Sequence, residues 1–143
     1  MLPVMVAGVG GGRPPGRARS IDELVGQKLE YIRLGHAIVL SFSGGRQVLI
    51  ETVTRLNGPS GPVDVEPGDD ASDALATLLG DVVRVARVRD NGELHIRFRG
   101  GPELVVCVDD DVESWAVTGP GGFLIVCLAR GEVAVWGDGE GRG

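Results

Sequence analysis

Two stretches, GQKLEYIRLGHAIVLSFSGGRQVLI at residues 26–50 and GDVVRVARVRDNGELHIRFRGGPELVV at residues 80–106, carry one pattern of apolar and polar positions. An offset of 54 residues aligns Leu29 with Val83, Tyr31 with Val85, Ile32 with Ala86 and Leu34 with Val88. Past the two extra residues at Asn91-Gly92, an offset of 56 aligns Ile38 with Leu94, Leu40 with Ile96 and Phe42 with Phe98. It continues through Gly44/Gly100, Gly45/Gly101, Val48/Leu104 and Ile50/Val106. Alternating apolar residues separated by Gly-rich turns predict a three-stranded meander in each copy.

Ahead of each meander stands a short helical signal. SIDELVG and SDALATLLG begin with Ser20 and Ser72 as N-cap residues and end at Gly26 and Gly80. Each copy therefore predicts a short helix followed by three strands. The alternation slips at one place in both. Tyr31 and Ile32, and likewise Val85 and Ala86, are expected to bury neighbouring side chains across a β-bulge.

Working outward, residues 1–19 are rich in Gly, Pro and Arg and are expected to form a flexible tail, as are residues 138–143. Residues 20–137 read as a single domain: repeat one at 20–56, a Pro/Gly/acid-rich linker at 57–70, repeat two at 71–109 and further strands at 112–136. Those last strands have no apparent counterpart in repeat one. The expected class is α+β and mainly β: two helix-plus-meander units and an added C-terminal β-hairpin, forming a shared sheet or a barrel-like core.

The formal charge of −6 disfavours general binding to nucleic acid or to anionic membranes. No apolar run approaches membrane-spanning length. The opening MLPVMVAGV has no basic flank before it and is interrupted by Pro3, so it does not read as a secretion signal. Cys107 and Cys127 lie singly inside apolar runs, as buried thiols of a cytoplasmic protein would. Neither belongs to a zinc or redox spacing.

No nucleophile elbow, phosphate-binding Gly-Lys-Ser loop or paired-histidine metal motif is present, so no catalytic residue, cofactor or metal is assigned. Two surfaces remain as candidates for a partner. Arg84, Arg87, Arg89, His95, Arg97 and Arg99 share the outward parity of adjacent strands, interleaved with Asp81, Asp90 and Glu93. Asp109, Asp110, Asp111 and Glu113 form an acidic turn that lacks the glycine and distal glutamate of an EF-hand loop.

The ending ESWAVTGPGGFLIVCLARGEVAVW, residues 113–136, resembles that of an actinobacterial family of uncharacterised small proteins, domain of unknown function 6188. The resemblance rests on Trp115, Gly119, Pro120, Gly122, Val126, Gly131, Ala134, Val135 and Trp136, and the doubled pattern extends it over residues 20–136. It implies fold and bacterial origin, and no activity. The expectation is a non-catalytic binding or regulatory protein that acts through its surface on a protein partner, in the manner of an immunity factor. A β domain binding a small molecule in its core is the alternative, and an enzyme of unidentified type ranks third.

Overall fold

The computed structural model describes residues 19–68 and 72–136. The expected tails lie outside these residues, except that Arg19 belongs to a strand.

The described residues form twelve strands: β1 (Arg19–Ser20), β2 (Leu29–Leu34), β3 (Ile38–Phe42), β4 (Arg46–Ile50), β5 (Thr54–Gly58), β6 (Gly61–Val65), β7 (Val83–Val88), β8 (Leu94–Phe98), β9 (Glu103–Val106), β10 (Trp115–Thr118), β11 (Leu124–Cys127) and β12 (Val133–Trp136). A short α-helix, α1 (Ser72–Ala76), precedes β7. The strands form two six-stranded antiparallel sheets. Sheet I has the order β1-β7-β8-β9-β5-β6 and sheet II the order β12-β11-β10-β4-β3-β2. Neither closes on itself, so the barrel-like alternative is set aside.

The apolar parity of the strands builds one core from both sheets. Val83, Ala86, Leu94, Ile96, Phe98 and Leu104 enter it from sheet I; Leu29, Leu40, Val48, Trp115, Val117 and Ile125 enter it from sheet II. The helix-plus-meander unit does not hold as drawn. Residues 22–26 make turns rather than a helix, with Leu24 N bonded to Ile21 O and Val25 N to Asp22 O. The reason is pairing with β7. Ile21 N is already bonded to Ala86 O and Gly26 N to Val83 O, which leaves too few residues to propagate an α-helix.

The connection at 57–70 also departs from expectation. Its first half pairs in the β5–β6 hairpin, where Pro62 is tolerated because β6 is an edge strand. After β4 the chain crosses to sheet I as β5, beside β9; after β9 it crosses back to sheet II as β10, beside β4. β10 and β11 thus stand beside β4 as β5 and β6 stand beside β9, and β12 extends sheet II by one further strand in place of a C-terminal hairpin alone.

Reciprocal hydrogen bonds join the sheets at one corner. Gly26 N donates to Val83 O and Gly80 N to Leu29 O, each at 2.8 Å; Leu29 N donates to Asp81 O and Val83 N to Gln27 O, each at 2.9 Å. Lys28 and Val82 form the bridge between these pairs.

The register shifts between Leu29 and Tyr31 and again between Val83 and Val85, so a bulge occurs in both strands. The neighbours that share a face are not the buried pairs expected. Tyr31 is 58% exposed, and the parity changes through two successive outward residues, Glu30-Tyr31 and Arg84-Val85. Placing the extra residue on the wet side keeps Glu30 and Arg84 hydrated, which an inward insertion would not.

Candidate functional site

The outer face of sheet I is set by the pleat of β7 and β8. With Val83, Ala86 and Val88 inward on one strand, and Leu94, Ile96 and Phe98 inward on the other, the intervening residues face solvent. Arg87 lies opposite His95 and Val85 opposite Arg97, while Arg89 N bonds Glu93 O. Arg84 is the bulge residue, and Arg99 follows β8, its N–H bonded to Val82 O.

Arg84, Arg87, Arg89, Arg97 and Arg99 are all exposed. Among the described residues, none of these five guanidinium groups makes an ion pair or side-chain hydrogen bond. Two carboxylates stand close enough in register to neutralise them. Glu103 is opposite Arg97, and Glu93 is beside Arg89. Both turn instead to His95, whose Nε2 lies 3.3 Å from Glu93 Oε1 and whose Nδ1 lies 3.3 Å from Glu103 Oε2. His95, its side chain 15% exposed, is therefore already partnered within the ladder. It draws two acids away from the arginines.

Sequence parity placed His95 on this face but missed Glu103. The missing information was the register across the Gly100-Gly101 turn, which sets β9 against β8. Farther across the sheet, Arg55 pairs with Asp64 at 3.0 Å; that hydrogen bond and the carboxylate's charge raise the guanidinium pKa.

The acidic turn connects β9 to β10. Asp109 accepts the Asp111 N–H at 2.7 Å through Oδ1, and its own N–H donates to Ser114 Oγ at 2.8 Å. Asp110, Asp111 and Glu113 are exposed. Among the described residues, no group of three or more His, Cys, Asp or Glu is arranged to hold a metal ion.

The two candidate surfaces meet at the turn Ala129–Gly131. Arg130 N donates to Asp109 O, while a methyl group added at Gly131 would stand 2.5 Å from Asn91 O, in the turn that carries Arg89 toward Glu93. A surface depression of about 300 Å³ is lined there by Arg89, Asp90, Asn91 and Glu93.

The chain belongs to a family of unknown function (DUF6188), whose sequence profile matches residues 20–137. No curated protein and no solved structure matches it.

Proposed function

We propose that this family member is a small non-catalytic binding protein, of immunity or regulatory type, that acts in the cytoplasm on a protein partner. The partner presents an acidic surface to the β7–β8 ladder. The observation that carries this reading is the set of five exposed, unpaired guanidinium groups on a chain whose formal charge is −6. Unpaired like charges on neighbouring strands repel one another, and an acidic partner relieves that repulsion. Arginine also pairs bidentately with carboxylates, which gives such an interface geometric selectivity.

We read the two halves as one duplicated strand unit whose outer faces have diverged. Where the ladder has Arg84, His95 and Arg97, the corresponding positions of β2 and β3 have Glu30, Val39 and Ser41, while Arg87 keeps a counterpart in Arg33. The basic ladder is then a specialised surface and not a feature required by the fold.

Capture of interacting proteins from native cells on the immobilised chain tests the reading, with the double variant Arg87→Ala plus Arg97→Ala as comparison. Both side chains are exposed, so the double change should alter stability by no more than about 1 kcal/mol. It should abolish capture of the partner and slow association, with a weaker dependence on salt. Capture unchanged by the double variant would remove the ladder from the interface. Tight, salt-sensitive binding of DNA or RNA would replace the protein partner with nucleic acid.

A further inference from the structure

The four outer edges of the two sheets are not alike. β1 is two residues long; β6 carries Pro62 and Asp64; β2 is bulged and carries Glu30 and Arg33. Each of these features discourages pairing with another strand. β12, Val133-Ala134-Val135-Trp136, has no proline, charge or bulge. Among the described residues, no strand pairs with its outer edge.

The hydrogen-bond phase of that edge can be deduced. Leu128 N donates to Glu132 O at 2.6 Å, and Val126 pairs with Ala134 and Leu124 with Trp136. In an antiparallel ladder, hydrogen-bonded pairs alternate with pairs that are not bonded. Glu132, Ala134 and Trp136 therefore direct their backbone groups to β11. The N–H and C=O groups of Val133 and Val135 point away from the sheet.

We infer that β12 pairs antiparallel with β12 of a second copy, with a two-fold axis at Ala134, joining two copies of sheet II into one continuous twelve-stranded sheet. In this register Val133 of each copy faces Val135 of the other, and the two exchanges use all four outward groups on each strand. Facing residues also keep the same side of the sheet. The valines extend the apolar inner side, where Val133 and Val135 already pack against the core. Ala134 meets its own copy at an unbonded position, where Cα atoms approach to about 4.5 Å. A small side chain suits that site. A different peptide could match the backbone groups, but the strand has one two-fold register that uses all four of them, and its centre falls on Ala134, the smallest side chain of the strand, which favours a second copy.

Sedimentation of the full chain over a range of concentrations should show a monomer–dimer equilibrium. Ala134→Lys places like charges across the axis and should weaken dimerisation roughly tenfold. Ala134→Glu should do the same, and mixing the two variants should restore dimers. Val135→Pro removes an outward N–H without taking a bond from β11, so it should weaken the dimer while the monomer stays folded. Ala134→Cys should form an intermolecular disulfide on mild oxidation, since Cα atoms at about this spacing can be bridged. A chain that remains monomeric at all concentrations, including one that binds only foreign extended peptides, overturns the inference. So does a dimer indifferent to both Ala134→Lys and Val135→Pro.

Discussion

The indole N–H of Trp115, on β10 of sheet II, donates to the carbonyl oxygen of Gly92 in the β7–β8 turn of sheet I, at 2.9 Å. The bond is buried and links residues 23 positions apart, so it ties sheet II to sheet I across the core rather than along the local chain. Trp115→Phe keeps much of the ring but leaves that carbonyl without its indole donor. Unfolding by denaturant should show a loss of about 2 kcal/mol. An unchanged midpoint would mean that the bond contributes nothing net.

The same turn packs backbone against backbone. A methyl group added at Gly92 would stand 2.7 Å from both the Cα and the carbonyl oxygen of Gly131, and Gly92 itself has φ +94°. No flexible side chain can give way there. Gly92→Ala should cost at least about 2 kcal/mol, combining left-handed backbone strain with the contact. Gly121, with φ +73° and open space beside it, is the control. Its change to Ala should cost only about 1 kcal/mol.

Most strands were legible because alternation survives in a sheet with one wet face. Phe42 and Phe98 are buried, as their parity required. The bulges were legible as a slip of that alternation, but their direction was not: sequence shows that two neighbours share a face, and Glu30 and Arg84 decide which face. The β5–β6 hairpin was hidden by Gly58, Pro59, Gly61 and Pro62, residues that mark turns and also suit an edge strand. The crossings between sheets depend on pairing partners far along the chain, which no local period encodes. For the same reason the arginines were visible and the withdrawal of Glu93 and Glu103 by His95 was not.

Thr54 opens β5 and is fully buried, and its Oγ1 has no hydrogen-bond partner among the described residues. A buried hydroxyl without a partner costs free energy that a methyl group does not. Thr54→Val has nearly the same shape and should stabilise the fold by about 1 kcal/mol in denaturant unfolding. Destabilisation would mean that the hydroxyl is satisfied in solution.

The two cysteines should separate by reactivity and by pH. Cys127 is buried on β11, and loss of hydration pushes its thiol up to about 11, a rise tempered by a hydrogen bond with Ser114. Cys107 is half-buried; burial raises its pKa too, with the charge of Glu93 adding to the effect. Alkylation of the native protein at neutral pH should therefore mark Cys107 before Cys127, because the thiolate is the reacting form and access is greater at Cys107. The stability consequence has a definite sign. Unfolded, Cys127 ionises near the ordinary value of 9.0; folded, it retains its proton to about 11. Its contribution is fully present below pH 9 and is lost as pH rises from about 9 through about 11, because the unfolded chain releases its proton first. Denaturant unfolding across that window should show wild type losing stability more steeply than Cys127→Ala. Parallel pH profiles for the two proteins would mean that the thiol ionises alike in the folded and unfolded states, and that the core around β11 admits water.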